Sequence, residues 1–274
     1  MPLYMPRYRP ATRKRYEALL RQELLAQLGS KRLDAIDART LRASIASFAK
    51  RGVQPRGAVN LVRSILRAAV EVGELDDLPI LPKPPSPGRK LPDAPSRDEV
   101  EAMLDASKGW LHVSIALAAF AGLRQGEVRA SEVRDVDLKK QLIHIRRAMS
   151  ESELVTPKSG HDRVVPMAPR LVGIVAPALK DKLPAARVIV SKAGTTPSRQ
   201  LVLMRLKKMQ SRNGLGARSF HSLRHFFCSQ LVQAGASVEA VRVLAGHSGL
   251  NTTQRYVHAT GADLQGAIVL LSVN

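Results

Sequence analysis

The sequence predicts a mainly α-helical protein with a small three-stranded antiparallel sheet, an α+β arrangement in two domains. Three observations lead to this. Apolar residues recur at three- and four-residue spacing through most of the chain. Short β-branched runs are confined to one stretch, between residues 142 and 165. A proline-rich segment, 79–95, separates a basic first part from a longer second part.

From Thr12 to about Val72 the period is helical. Tyr16, Leu19, Leu20, Leu24 and Leu28 share one face, and Gly29 follows as a stop. Asp37 or Thr40 can cap a second helix running to Lys50, and Val59, Val62, Ile65, Leu66 and Ala69 line a third that ends near Gly73. Residues 1–78 are therefore expected to form a helical bundle. Its first 75 residues hold 15 Lys and Arg against 6 Asp and Glu, so the bundle is basic in its own right. Residues 79–95 carry seven of the 17 prolines in the chain. Seven fixed φ angles exclude a helix and favour an extended path of roughly 3 Å per residue, on the order of 50 Å in all. This stretch reads as a linker.

The second domain, 96–274, opens with Ser96 and Glu99 at capping-box spacing ahead of the apolar stripe Val100, Met103, Leu104. Leu111 to Phe120 is almost wholly apolar and predicts a buried helix ended at Gly122. Three short strands are expected next: Leu142, Ile143 and Ile145 in the first, Leu154 and Val155 in the second, Val164 and Val165 in the third. Lys158-Ser159-Gly160 occupy the turn between the last two. Helices return after Pro169, at about 170–180, 198–212, 221–234 with Gly235 as stop, and 237–245 between Ser237 as cap and Gly246 as stop. One more begins near Thr252.

Lys and Arg number 43 against 23 Asp and Glu, a net charge of +20 with an isoelectric point near 10.9. Solubility does not require so much. A polyanionic partner explains it, either nucleic acid, whose closely spaced phosphates reward many Lys and Arg contacts, or an anionic membrane surface. The membrane reading is the weaker, because no apolar run reaches the ~18 residues of a spanning helix and no charged-then-apolar signal opens the sequence. The single cysteine, Cys228, excludes an internal disulfide and a Cys-based zinc site and fits a reducing cytoplasm.

Chemistry first shows in His221-Ser222-Leu223-Arg224-His225-Phe226-Phe227-Cys228. On a helix, positions 221, 224, 225 and 228 fall on one face, and Leu223, Phe227 and Leu231 on another. A guanidinium can bind two phosphate oxygens at once, and an imidazole can move a proton near neutral pH. Such a face alone is as often simply solvated. Four separate pieces in one order change that reading. Gly122-Leu123-Arg124-Gln125-Gly126-Glu127 resembles the Gly-Leu-Arg-x-x-Glu stretch of the tyrosine recombinases of the phage-integrase type. Lys158, in Thr156-Pro157-Lys158-Ser159-Gly160, matches that family's lysine in a β-turn. His221 and Arg224 match its His-x-x-Arg box, and Ala245-Gly246-His247-Ser248 its Leu-Gly-His box. Tyr256 lies nine residues after His247, where the family places its nucleophile. The match covers residues 96 to about 260, and the helical, basic residues 7–75 look similar to the family's core-DNA-binding domain. Ala245 in place of the usual leucine, and the polar Arg129-Ala130-Ser131 in place of a more apolar stretch, are departures.

The resemblance implies a site-specific recombinase that cleaves and rejoins double-stranded DNA through a covalent 3′-phosphotyrosine, in DNA integration or excision, with no metal and no cofactor. The residues suit that chemistry. Tyr256 would attack the scissile phosphate, and Arg124 and Arg224 would clamp it. His221 would accept or return the tyrosine proton, and Lys158 would protonate the departing 5′ oxygen. His247 would donate to a non-bridging oxygen, and Glu127 would hold the Arg124 guanidinium. The apolar tail 263–271 is expected to dock on a neighbouring protomer of a homo-tetramer on paired DNA sites. Two other readings stay open: a type IB topoisomerase-like enzyme that nicks and reseals one duplex, and a catalytically silent DNA-binding protein on the same scaffold.

Overall fold

The computed structural model describes residues 8, 10–50, 55–83, 93–157, 160–249, 252–254 and 256. Two units divide the chain, Met1–Lys90 and Leu91–Asn274, with the division inside the proline-rich stretch.

In the first unit, α1 (Pro10–Leu19) passes through a π-helical turn, Leu20–Leu24, into α2 (Leu25–Leu28). The wider turn keeps Leu24 and Leu28 on the face that buries Tyr16. The helices α3 (Ala38–Lys50) and α4 (Pro55–Glu71) pack on each other. Asp37 caps α3, its Oδ1 accepting from the Thr40 amide at 2.8 Å. Leu41, Phe48, Val59, Val62 and Leu66 join Tyr16 and Leu24 in a core of this unit's own.

The second unit opens at α5 (Arg97–Asp105), with the expected reciprocal capping box: Glu99 N donates to Ser96 Oγ and Ser96 N to Glu99 Oε2. Helix α6 (Gly109–Phe120) is the central element, with every residue from Val113 to Ala119 buried. Around it pack α8 (Pro169–Leu179), α9 (Arg199–Arg212) and α10 (Phe220–Gln233), and α11 (Val238–Ala245) rests on α10. The cores of the helices 198–212, 221–234 and 237–245 stand where the sequence places them, capped by Ser198, Ser219 and Ser237.

The three-stranded antiparallel sheet has the order β1 (Val136–Asp137), β2 (Leu142–Ile145), β5 (Arg163–Pro166), with Ile143 facing both Val136 and Val165. Its membership differs from the sequence reading. Leu154 and Val155 belong instead to a separate hairpin of β3 (Ala148–Ser150) and β4 (Glu153–Val155). Strand β1 is two residues long and has no apolar run to announce it.

A short helix that the periodicity does not announce, α7 (Gln125–Ala130), lies between α6 and the sheet and packs on β3. It carries the polar Arg129 into the interior. Burial is tolerated because Arg129 Nε donates to the Pro197 carbonyl and Nη2 to the Glu151 carbonyl, each at 2.8 Å, while Ser131 Oγ donates to the Glu127 carbonyl at 2.9 Å. Among the described residues no helix is long and apolar enough to cross a membrane.

Candidate active site

The site is organised by the end of α11. Gly246, at φ +64°, turns the chain out of the helix. An added Cβ there would meet the Arg163 side chain at 3.0 Å, so both the backbone angle and the packing call for glycine. The last carbonyls of a helix have no partner within it. Those of Arg242 and Val243 take the amides of His247 and Gly246. The next three carbonyls each accept from a different arginine. Arg163 Nε donates to Leu244 at 2.9 Å, Arg224 Nη2 to Ala245, and Arg124 Nη2 to Gly246 at 2.8 Å. The negative end of the helix dipole favours cations at this place.

Glu127 completes the cluster from α7. Arg163 Nη1 and Nη2 reach its two carboxylate oxygens at 3.0 and 2.7 Å, and Arg124 Nη1 donates to Oε1 at 2.8 Å. Burial alone would push this carboxyl up, yet the Arg163 hydrogen bonds and the charges of Arg163, Arg124 and Arg224 hold it down at about 2. Arg224, 1% exposed, donates its other arm to the Gly122 carbonyl at 2.6 Å. Burial, and then the like charge of Arg124, lower its guanidinium to about 10, so it remains charged at neutral pH. Gly122, at φ +65°, lies so close to Phe227 that a Cβ would stand 2.4 Å from the ring. Three cations against one carboxylate leave an excess of two positive charges.

Tyr256 is 2% exposed and its hydroxyl meets His225 Nδ1 at 2.6 Å. His225 stands edge-on to His221, ring centroids 4.6 Å apart, and His221 is exposed at the rim. The His247 ring lies parallel to that of Tyr256 at 6.1 Å, and its Nδ1 meets Thr253 Oγ1 at 2.9 Å. Burial, followed by the charges of Arg224 and Arg124, pushes His247 down to about 3, so it is neutral at physiological pH. Cys228 is fully buried, and burial pushes its thiol up against the pull of Arg224 and of a hydrogen bond with Tyr256. It stays a protonated thiol.

Arg124, Glu127, His221, Arg224, His247 and Tyr256 are thus brought together, through these contacts, from α7, α10, α11 and the turn beyond. Lys158 and the tail 263–271 lie outside the described residues. Two neighbours, Arg163 and Thr253, have no place in the sequence reading, and His225, which that reading puts on the cationic face with His221 and Arg224, is given no catalytic role of its own there. Arg163 had a signal. The alternation of β5 puts it in phase with buried Val165, and a charge on the core face of a strand calls for a partner. Among the described residues no three His, Cys, Asp or Glu side chains gather as a metal site would require.

Residues 96–262 match the sequence profile of the phage integrase family. The chain belongs to that family. Its relatives include tyrosine recombinase XerA of Thermococcus kodakarensis, 30% identical over 230 residues that span 81% of this chain and 78% of the relative. Tyrosine recombinase XerD of Neisseria meningitidis is 29% identical over 257 residues, 89% and 85% of the two chains. In fold, the chain resembles the Tn1549 transposon integrase in complex with transposon right end DNA (TM-score 0.76, 20% identity, 96% of this chain and 93% of that one). It also resembles a lambda integrase dimer bound to a COC′ core site (TM-score 0.72, 16% identity, 94% and 90%). The family cleaves and rejoins DNA strands, and this member is a site-specific tyrosine recombinase. A topoisomerase-like reading is not favoured.

Proposed function

We propose that Tyr256 is the nucleophile of a DNA strand exchange in which Arg124, Arg224 and His247 bind the scissile phosphate and Lys158 serves the leaving oxygen. The observation that carries this is the 2.6 Å contact of the Tyr256 hydroxyl with His225 beside a cluster of three arginines tied to one helix end. A tyrosine of ordinary pKa near 10 attacks poorly unless its proton is drawn off and the resulting charge is stabilised.

In the proposed step the Tyr256 oxygen forms a bond to phosphorus while the bond from phosphorus to the 5′ oxygen breaks. The tyrosine proton passes to His225 and on to His221 at the rim, and Lys158 gives a proton to the departing 5′ oxygen. Arg124, the most open of the three arginines at 21% side-chain exposure, faces the incoming phosphate, with Arg224 behind it. Their positive field serves the non-bridging oxygens as they gain charge. The Thr253 hydroxyl can donate to Nδ1 of the neutral His247 ring, and in that tautomer Nε2–H donates to the same oxygens. Because the phosphotyrosine conserves the bond energy, a 5′ hydroxyl from another strand reverses the step without ATP.

The partner is double-stranded DNA, and the role is integration, excision or resolution by a homo-tetramer joined through residues 263–271. The test is trapping on a duplex nicked just beyond the scissile phosphate, in excess EDTA. The unaltered chain forms a covalent adduct that survives boiling in detergent, and Tyr256→Phe binds the duplex and forms none. An adduct with the Phe variant reassigns the nucleophile, and a strict magnesium requirement moves the chain out of this chemistry.

A further inference from the structure

The hairpin of β3 and β4 stands apart from the three-stranded sheet and buries little apolar surface: Glu153 is exposed, and Leu154 beside it is 52% exposed. A two-stranded hairpin on its own is marginally stable in water. This one is held at two places besides its packing on α7. At its base, Arg147, the residue before β3, pairs with Glu132 and with Asp135 at 3.0 Å. At its tip, the Glu151 carbonyl accepts from Arg129 Nη2 at 2.8 Å. Glu151 lies in the two-residue turn between the paired Ser150 and Glu153, at φ +54°, a backbone angle that a residue with a side chain adopts at a cost.

Of the buried arginines, Arg163 meets Glu127 and Arg224 belongs to the cluster at the end of α11, whereas the chemistry above leaves Arg129 without a task. Arg129 is 4% exposed and, among the described residues, forms no ion pair; two backbone carbonyls, of Glu151 and Pro197, meet its guanidinium. Burial holds its pKa below the ordinary arginine value, with the Glu151 carboxylate opposing the shift and Arg199 adding to it. A methionine would fill the same place without desolvating a charge. What an apolar side chain lacks is direction. The guanidinium carries its donors in a fixed fork, so it ties the hairpin tip, and the residue before the Ser198 cap of α9, to one helix. That helix is α7, whose N-cap is Arg124. Gly126 lets α7 and β3 meet backbone to backbone, since a Cβ there would stand 2.6 Å from the Met149 carbonyl oxygen.

We propose that Arg129 is a positioning residue for the leaving-group proton, acting through the hairpin that leads to Lys158. Strand β4 ends at Val155, three residues ahead of Lys158, and three residues span at most about 10 Å. Lys158 itself lies outside the described residues. The strand end that leads to it is set by the hairpin, and the hairpin tip is fastened by Arg129 to the helix that begins at Arg124. Arg129 thus fixes the approach to Lys158 relative to the arginine that faces the phosphate. The proposal rests on the assignment of Lys158 to the departing 5′ oxygen.

Lost positioning has a signature that lost stability or lost DNA binding does not share. A 5′ oxygen leaves with a proton from Lys158, whereas a sulfur in its place leaves as a thiolate and needs none. Arg129→Met keeps the apolar bulk and removes the donors. On ordinary DNA it should slow single-turnover adduct formation at saturating duplex about a hundredfold, with duplex affinity unchanged. On the sulfur substrate its rate should return close to that of the unaltered chain. Circular dichroism and a thermal melt check its fold. Glu151→Pro tests the same contact from the other side: proline cannot take φ +54°, so the tip carbonyl is displaced while Arg129 stays, and the same pattern is expected. Should the first variant fail to fold, the second decides alone. Equal slowing on both substrates, or no slowing in either variant, overturns the proposal and leaves Arg129 a fixture of the fold. Lys158→Ala is measured in the same series. If sulfur does not restore it, the assignment of Lys158 has failed and the proposal falls with it.

Discussion

Arg163 Nη1 and Nη2 reach both carboxylate oxygens of Glu127, at 3.0 and 2.7 Å, and the same carboxylate then receives Arg124 at 2.8 Å. Arg163 is 8% exposed, so it meets Glu127 from behind, while Arg124 remains open toward the solvent side. The pair joins β5 to α7 and, through the Leu244 carbonyl, to the end of α11. Arg163 is therefore expected to position Arg124, through Glu127, and the turn that leads to His247.

Removing it should separate rate from binding. Arg163→Ala is expected to slow adduct formation about a hundredfold, the scale of a 1 Å misplacement, with duplex affinity nearly unchanged. Leaving Glu127 buried without its main partner should also cost stability, about 3 kcal/mol. Arg163→Ala/Glu127→Gln should recover much of that loss in a denaturant melt and none of the rate. Recovery of both would reduce Arg163 to a structural ion pair.

The two histidines of α10 are separable by kinetics. His225 touches the Tyr256 hydroxyl and His221 does not stand between them, so His225→Ala should slow adduct formation on nicked duplex by about a hundredfold, and His221→Ala by less. The opposite order would return the first proton transfer to His221.

Lys158 is checked by changing the leaving group. A sulfur in place of the bridging 5′ oxygen departs without a proton, so Lys158→Ala should be severely slowed on ordinary DNA and largely restored on the sulfur substrate. Equal defects on both substrates would make Lys158 a phosphate ligand.

His247 predicts a pH dependence of stability. Its folded pKa, about 3, lies below the ordinary value near 6.5, so between these the unfolded chain binds the extra proton. Stability from this group is fully present above pH 6.5 and is lost progressively as pH falls toward 3. Between pH 7 and pH 5 the loss should be on the order of 1 kcal/mol after allowance for solvent screening. Thermal melts of the unaltered chain and His247→Gln at those two values would show it as a smaller acid shift in the variant. Parallel shifts would place the acid sensitivity elsewhere.

What the sequence determined by itself is whatever depends on neighbours a few residues apart. The helix caps at Ser96, Asp37, Ser198 and Ser237 are local hydrogen bonds, and their spacing is visible in the chain. The buried character of α6 follows from its composition, and the resemblance of its motifs to those of the family is what singles out Arg124, Glu127, His221, Arg224, His247 and Tyr256. Only the tertiary structure decided the rest. Strand β1 is defined by its pairing with β2, and the hairpin of β3 and β4 by its packing on α7, neither of which a two- or three-residue segment can announce. The three arginines that meet at Leu244, Ala245 and Gly246 come from positions 124, 163 and 224. Their meeting depends on where a helix happens to end and which carbonyls it leaves without partners. That is a long-range requirement of hydrogen-bond satisfaction in the interior, and no periodicity within any one segment encodes it.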